Sequence, residues 1–599
     1  MNASDPIDLA EEAKSRAIAN DVAISEKHPE IEPAPVHSVS SLHDEDDDAL
    51  HKIYPNEDDL RNLRRVAGKI PWTTFTVAFV ELCERFSYYG TTAVFVNFIQ
   101  RPLPANSTTG ALMPGSDFNN GVPGALDMGQ RASTGLTLFN QFWSYIMPLM
   151  GAYVADQYWG RFRTIFASIA VALVGHSILI VSAIPNVIAT PEARSPASLS
   201  NISPLIAEQY GDDRPYVRVE SNGERVIVDP AATVSRIYLY FYLMINVGSL
   251  TGQISMVYAE RYVGFWLSFL LPTIMFCLCP TVLFLCKSNY KLHPPTGSVY
   301  SKAFRLWKLA MTGRWSLNPL RLFQSTPGSG DFWHNVKPSQ LGANKPEWMT
   351  FDDEWVDEVR RGFKACKVFL WYPLYWLAYN QMLNNLTSQA ATMHLGGVPN
   401  DIINNLNPFA LIIFIPIFDR LVYPGLRRMG YNFTPLKRIT AGFFVAGCSM
   451  IVATVTQYYI YKQGPCGNQA NYCLEVEGKQ TNISVWVQTL TYVLGGISEI
   501  FASVTSLEYA FTKAPRNMRS LVQAVALFMN AISAAIGQAL VGLSADPLLV
   551  WNYGVVAILA FVGCAGFWLT NYKLDREEDA LNMLPQSEYV GRKAADEEK

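Results

Sequence analysis

The chain of 599 residues has little charge for its length. Lysine, arginine, aspartate and glutamate together make up 16% of it, against about 25% in soluble proteins. The charges are also unevenly placed, because residues 1–68 hold 23 of them, 16 of which are acidic. The rest of the chain is therefore too apolar for a soluble multidomain protein, a nucleic-acid binder or a disordered protein.

Cysteine is scarce as well, with nine residues in the chain, which excludes a small disulfide-rich scaffold. His176 and His394 stand apart from other metal-ligating residues. No phosphate-binding loop or nucleophile elbow occurs. The sequence predicts no metal site and no cofactor, and nothing in it argues for an enzyme.

Long apolar runs dominate the chain, which is 50% hydrophobic and 13% aromatic. A transmembrane helix needs about 20 mainly apolar residues. Eleven such runs predict an all-α, multi-pass membrane protein, with spans near 70–99, 133–155, 163–185, 237–257, 262–286, 368–390, 405–424, 439–461, 485–510, 521–544 and 549–571.

Basic residues predict which loops face the cytoplasm, because they are retained on that side. Arg61, Arg64 and Arg65 place the N-terminus inside, and the 13 basic residues of 287–367 place that segment inside too. The loop 461–484 has two basic residues and is predicted to lie outside. It contains the one candidate disulfide, and candidate glycosylation sequons lie in predicted outer loops: Cys466 with Cys473, and Asn106 and Asn482.

Charge and hydropathy also predict the organisation of the chain. Alternating strands flank Asn222-Gly223 and predict a β-hairpin. Thr350 and the acidic residues 352–354 predict the start of an amphipathic helix that lies on the cytoplasmic surface and bridges two halves of the protein. The predicted segments are a disordered acidic cytoplasmic tail (1–68), an N-terminal bundle (69–286) with an outer loop (100–132) and a cytoplasmic hairpin loop (207–235), a cytoplasmic linker (287–367), a C-terminal bundle (368–571) and a cytoplasmic tail (572–599).

One crossing is missing from this scheme. The third span leaves the chain outside, whereas the two spans before Lys287 return it to its starting side. An odd crossing is therefore absent between 186 and 236. The only candidate, 187–206, holds Glu192, Arg194 and three prolines, which makes it too polar and too broken for lipid.

Ionisable residues within spans are costly and indicate function unless a structural partner explains them. Glu81, Glu84 and Arg85 share one helical face of the first span. One guanidinium cannot fully compensate two carboxylates, so one of them is expected to bind a proton part of the time, as proton coupling requires. The alternative is a purely structural ion-pair cluster.

Glu499 is predicted to lie mid-membrane, because the nearest charged residue of its span, Glu508, is nine positions further on and near the cytoplasmic end. A buried glutamate is either neutral and structural or meets a cation, such as the amino group of a substrate. Asn246 precedes Gly248, and Asn407 precedes Pro408, where an equally good explanation is a helix kink or cap. Tyr88, Tyr89 and Tyr242 either line a polar cavity or pack within the membrane.

Three segments resemble the proton-coupled oligopeptide transporter family. Residues 81–90 (ELCERFSYYG) are similar to its E-x-x-E-R-F-x-Y-Y-G motif. Residues 151–163 (GAYVADQYWGRFR) and 238–250 (YLYFYLMINVGSL) are similar to its two signatures. The hairpin loop, the outer cysteine loop and the acidic tail look most like the fungal di- and tripeptide transporters.

The resemblance implies a major facilitator fold of two six-helix bundles, here without helix four, in a plasma membrane. It implies that Glu81, Glu84 and Arg85 couple protons and that Glu499 meets the amino terminus of a peptide. It further implies peptide contacts at Tyr88, Asn246 and Asn407, and a cytoplasmic gate loop at Gly151, Asp156, Gly160 and Arg161.

The chain departs from the family pattern at four places. Asn380 stands where relatives carry a carboxylate, and Thr92 stands where many bacterial members have an arginine. The fourth family helix is gone, and Leu199 takes the place of its binding-site lysine. Loss of that lysine removes the main family cation for a peptide carboxylate.

The resulting hypothesis is proton-coupled symport of di- and tripeptides across the lipid bilayer by alternating access. Because helix four and its lysine are missing, one alternative is a transport-deficient paralogue or sensor, or a mis-spliced or mis-predicted gene. A second alternative is proton-coupled transport of nitrate or another small solute.

Overall fold

The computed structural model describes residues 63, 65–66, 70, 72–113, 119–189, 216–219, 225–228, 230–290, 299–312, 330–342, 345–382, 384–430, 433–515 and 518–574. Almost all of the predicted tail 1–68, most of the tail 572–599 and the stretch 190–215 therefore lie outside the described residues. Within them the chain is almost entirely helical and divides into two compact units.

The smaller unit contains the predicted hairpin. Strands β2 (Tyr216–Val219) and β3 (Arg225–Val228) pair antiparallel, with Tyr216 opposite Val228 and Val219 opposite Arg225. A short strand β1 (Arg65–Val66) completes a sheet of order β1-β3-β2. This pairing confirms the hairpin strands, while the Asn222-Gly223 turn lies outside the described residues.

The first helices of the larger unit carry the motifs. They are α1 (Trp72–Gln100), α2 (Gly129–Val154), α3 (Arg161–Ser182), the short α4 (Pro185–Ala189), α5 (Pro230–Tyr262) and α6 (Phe265–Leu285). A π-helical turn, Ala155–Trp159, joins α2 to α3. The description stops after Ala189, so the predicted missing crossing falls outside it.

The linker contains α7 (Val299–Met311), α8 (Gly330–His334), α9 (Pro338–Leu341) and α10 (Asp353–Cys366). The predicted amphipathic helix is α10, and Asp352 caps it by accepting a hydrogen bond from the Trp355 backbone N–H at 2.8 Å. Its buried face packs with Trp333 of α8 and with Met518. The predicted contact with both halves of the protein stays a prediction.

The remaining helices follow the linker. They are α11 (Tyr372–Tyr379), α12 (Asn385–Ala391), α13 (Leu406–Ile417), α14 (Tyr423–Arg428), α15 (Pro435–Gln463), α16 (Ala470–Glu477), α17 (Thr489–Glu499), α18 (Thr505–Lys513), α19 (Arg519–Ala539) and α20 (Leu549–Asn571). A π turn, Ile500–Val504, begins directly after Glu499 and joins α17 to α18.

Seven helices among the described residues are long and apolar enough to cross a membrane. They coincide with seven of the predicted spans: Phe162–Ser182, Phe265–Leu285, Ile402–Leu426, Pro435–Gln463, Val485–Leu507, Leu521–Ala539 and Leu549–Asn571. The other four predicted spans fall on α1, α2, α5 and the α11–α12 segment, outside this set. The count of eleven stays a prediction.

The polarity of the larger unit is inverted relative to a water-soluble protein. Large apolar side chains such as Leu285 and Ile558 are 72% and 63% exposed, whereas Asn97 and Glu260 are fully buried. Such a surface suits contact with lipid, and polar residues inside a membrane bundle mark functional pathways.

Two glycines set the distance between α1 and α5. Gly248 and Gly252 form a G-x-x-x-G pattern, which permits close helix approach in membranes. A Cβ at Gly248 would collide with the backbone carbonyl of Leu82, and one at Gly252 with that of Phe86. The turn of α1 that carries the E-x-x-E-R motif is therefore held directly against α5.

Candidate functional site

The charged motif of α1 forms one compact cluster. The Arg85 Nε lies 2.8 Å from a Glu81 oxygen and 2.7 Å from a Glu84 oxygen. The two carboxylate side chains are only 9% and 8% exposed. The helical spacing predicted from the sequence thus places two buried carboxylates on one guanidinium.

Aromatic rings surround the other side of that guanidinium. The Arg85 Cζ lies 5.9 Å from the ring centroids of both Tyr88 and Tyr89, within cation–π range. The neighbouring Ser87 Oγ lies 2.8 Å from His176 Nε2 of α3. His176, for which the sequence offered no role, therefore ties α3 to the motif helix.

Glu499 is at the centre of a second cluster. The Tyr379 hydroxyl donates to Glu499 Oε2 at 2.7 Å, and Asn407 Nδ2 donates to the same oxygen at 3.0 Å. Asn407 also donates to the Tyr379 hydroxyl at 2.9 Å. No salt bridge to Glu499 occurs within the described part of the chain, so neutral groups alone hold this carboxyl there.

The backbone around Glu499 is irregular. Glu499 ends α17, and the π turn Ile500–Val504 follows at once. π turns inside helices occur frequently at functional sites. Gly496 gives Asn407 room, because a Cβ there would lie 2.9 Å from its Oδ1. Asn407 is thus a hydrogen-bond donor to Glu499.

Tyrosines connect the two clusters. Tyr89 of α1 interacts electrostatically with both Arg85 and Glu499, and Tyr145 of α2 does the same. Tyr379 in turn interacts with Tyr89. The structure therefore brings the α1 motif and the α17 carboxyl together around one group of tyrosines.

The charges of this region do not balance. Glu81 and Glu84 share the guanidinium of Arg85, and Glu499 is held by the neutral donors Tyr379 and Asn407. An excess of buried carboxylates is stabilised by binding protons or a cationic ligand. The arrangement is therefore able to take up protons and an ammonium group.

One end of the larger unit is closed by polar contacts between its N-terminal and C-terminal helices. Arg101 donates to Glu475 at 3.0 Å and to Asn471 at 2.9 Å. Asn471 donates to Gln130 at 2.9 Å, and Thr134 donates to Asn385 at 3.1 Å. These contacts join the end of α1 and the start of α2 to α12 and α16.

A disulfide supports this closure. The structure joins Cys466 and Cys473, with their Cα atoms 5.7 Å apart. Cys473 lies on α16, between Asn471 and Glu475, the two residues that contact Arg101. We call this end of the molecule, with the Cys466–Cys473 loop, the disulfide end.

The remaining predicted site residues lie elsewhere. Gly160 has a φ of +72° and separates the π turn Ala155–Trp159 from α3. Gly151 lies on α2, and the side chains of Asp156 and Arg161 are outside the described part of the structure. Asn246 is half-buried on α5, two residues before Gly248. Tyr242 has no described side chain.

Sequence reasoning missed four residues. Tyr379 directly precedes Asn380, which drew attention only as a departure from a pattern. Arg101, Glu260 and Arg261 lie a few residues beyond predicted span ends. A search for charges just past each span would have found the last three.

Comparisons with known proteins identify relatives of this chain. The PTR2 model, described as the POT family, matches residues 162–556. The "Probable peptide transporter ptr2" of Schizosaccharomyces pombe is 40% identical over 544 residues, covering 88% of this chain and 82% of that protein. "Peptide transporter PTR2" of Saccharomyces cerevisiae is 35% identical, covering 96% and 89%.

A solved structure shows the same fold. The POT family transporter PepTSo is similar to this chain with a TM-score of 0.62, covering 85% of this chain and 99% of that one. The identity is 17%, so this likeness concerns the fold alone.

The charge cluster predicts a large effect of removing Arg85. Arg85→Ala removes the guanidinium that two buried carboxylates contact, so we expect a loss of about 3–5 kcal/mol in stability. Thermal unfolding of the detergent-solubilised protein measures it. Arg131→Ala, at an exposed arginine of α2, is the control and should change stability by less than about 0.5 kcal/mol. Equal effects of both substitutions would contradict the cluster's role.

Proposed function

The chain belongs to the POT family, and on that premise we propose that it carries out proton-coupled symport of di- and tripeptides by alternating access. The observation that supports it most is the pairing of a carboxylate-rich, arginine-containing cluster with Glu499 around shared tyrosines. This arrangement suits the binding of protons and of a peptide ammonium group in one region.

Glu499 is the proposed contact for the amino terminus of the peptide. Its Oε2 already accepts from two neutral donors, and a buried carboxylate in that state gains most from a cation. Asn407 and Tyr379 are proposed to orient this carboxyl, while Tyr88 and Asn246 are proposed to contact the peptide.

Glu81, Glu84 and Arg85 are the proposed proton-coupling group. Protonation of one carboxylate leaves the guanidinium with a single strong partner, so Arg85 becomes available to a peptide carboxylate. Arg85 is then the cation that substitutes for the family lysine, whose aligned position, Leu199, lies outside the described residues. Each proton bound therefore changes what the site offers to the substrate.

The orientation is a proposal as well. We place the disulfide end outside and the N-terminus in the cytoplasm of a plasma-membrane protein. Asn106 and Asn482 are both exposed, which suits sequons on an outer face. The closed contacts between Arg101, Glu475 and Asn471 then describe a state that is shut toward the outside.

Uptake of a labelled dipeptide tests the proposed function. Cells without peptide transporters of their own should accumulate it faster at about pH 5.5 than at about pH 7.5 when they express this chain. Glu499→Gln should lower uptake at limiting dipeptide at least about thirtyfold, because losing a buried ion pair costs about 2 kcal/mol or more. The control, Glu477→Gln, removes an exposed carboxylate and should change uptake less than about twofold.

Other outcomes distinguish the alternatives. Absence of uptake despite verified surface expression would support the transport-deficient protein or sensor. Uptake of nitrate in place of dipeptide would support the small-solute transporter. Dipeptide uptake that is equal at both pH values would contradict proton coupling.

Tyr379 offers a finer test of the same site. Tyr379→Phe removes a hydroxyl that donates to Glu499, so we expect the KM for the dipeptide to change about tenfold. Tyr375→Phe is the matched control, because its ring stacks on Tyr379 with centroids 6.3 Å apart and makes no hydrogen bond to Glu499 within the described contacts. The same KM shift in both variants would refute a specific role for the Tyr379 hydroxyl.

Glycosylation tests the orientation. If the disulfide end faces outside, Asn106→Gln and Asn482→Gln should each remove one glycan, seen as a step in gel mobility that glycosidase treatment abolishes. A native protein whose mobility does not change with glycosidase would leave the orientation unsupported, and glycan attached to a sequon engineered into the 299–312 segment would reverse it.

A further inference from the structure

A second pair of carboxyl groups lies at the disulfide end, away from the proposed transport site. Glu260 is near the end of α5, and Asp401 directly precedes the 310 turn Ile402–Asn405 that leads into α13. They are 0% and 1% exposed. The two carboxyls interact with each other, and both oxygens of Asp401 are buried without a hydrogen-bond donor within the described residues.

Amides hold the pair across the two halves of the larger unit. Asn97 of α1 donates to Glu260 Oε1 at 2.8 Å and to Asn400 Oδ1 at 3.0 Å. Asn400 donates back to Asn97 at 2.9 Å and to the Thr387 carbonyl at 3.2 Å. Glu260 Oε2 is buried and has no donor within the described residues. A proton shared between the two carboxyls would supply that donor.

The charges facing the pair come from each neighbouring element. Arg261 adjoins Glu260 on α5 and interacts with both carboxyls, while its Nη1 donates to the Gly121 carbonyl at 3.4 Å. Tyr492 of α17 faces Asp401, and Asn97 is the polar group from α1. One arginine beside two carboxylates leaves one negative charge to be neutralised.

We infer that Glu260 and Asp401 form a proton-binding site that joins α5 to the start of α13 and holds the disulfide end closed. When the proton leaves, two buried carboxylates repel each other across the junction, and this end opens. The ligand is one shared proton. The site is separate from Glu81, Glu84 and Arg85, and it acts on closure and not on substrate contact.

The direction of the pH effect follows from burial. Burial raises the pKa of the Asp401 carboxyl to about 7, whereas an open, hydrated carboxyl has a pKa of about 4. The closed state therefore binds the proton more tightly than the open state. Closure is favoured by acid and is lost as the pH rises through about 7.

Cysteine accessibility in the purified, detergent-solubilised chain tests this inference. Ser388 is 2% exposed, and its backbone carbonyl accepts from Arg101 in the closed contacts. The labelling rate of Ser388→Cys with a thiosulfonate reagent measures opening of this end. The labelling rate of the chain without this cysteine is subtracted. Thiol labelling itself becomes faster as the pH rises. The rate is therefore divided by that of Ala105→Cys, at an exposed position of the same end.

The normalised rate should rise at least about fivefold from pH 5 to pH 7. Loss of one proton can change the closing equilibrium by up to tenfold per pH unit, so this rise lies within what one proton allows. Glu260→Gln and Asp401→Asn each place an amide N–H where the shared proton was, so the rise should fall below about twofold in both. Asp127→Asn, which removes an exposed carboxylate at this end, should keep the full rise.

A flat profile in the native background, with the thiol introduced by Ser388→Cys reactive after denaturation, would overturn the inference. So would a full rise in either amide variant. The two variants lie on different elements, which guards against misfolding. A folding defect would raise labelling at every pH, and that result would also count against a proton-specific role. Labelling measures accessibility and not uptake. A result against this inference would therefore not contradict the proposal of peptide transport.

Discussion

The structure depends on the cost of burying charge where water is excluded. Every ionised group inside an apolar helical bundle needs a partner, and a carboxylate without one is stabilised by a proton or a cation. Arg85 supplies one charge to Glu81 and Glu84, and Glu499 is held by the neutral donors Tyr379 and Asn407. Cation binding is therefore a consequence of how the bundle is built.

Close backbone packing fixes the position of the charged motif of α1. Gly248 and Gly252 let α5 meet the carbonyls of α1 in the turns that carry the charged motif, so the motif helix has little freedom to move away. In the second cluster, a π turn begins immediately after Glu499. One cluster is thus held on a tightly packed helix pair and the other lies at an irregular point of its helix, which suits a site that must change its contacts during transport.

Buried charges also need partners at the disulfide end, where N-terminal and C-terminal helices of the larger unit meet. Arg101, Asn471 and Glu475 close it with a charge-assisted network, and the disulfide fixes the helix that supplies two of these residues. Glu260 and Asp401 add a contact that is favourable only while a proton is shared. On the two proposals above, protons act both at the centre of the bundle and at the disulfide end.

Hydropathy alone predicted the helical membrane architecture, because a lipid-facing helix must be apolar over its whole length. Helical spacing alone placed Glu81, Glu84 and Arg85 on one face, since i, i+3 and i+4 positions are neighbours in any helix. The sequence also marked Glu499 and Asn407 as costly polar residues within spans. Only the tertiary structure decided that Tyr379 joins them, that Tyr89 lies between the two clusters, and that Glu260 meets Asp401. The contact between Tyr379 and Glu499 alone spans 120 positions of the chain. No periodicity applies over such distances, because contacts of this kind depend on how closely separate helices pack.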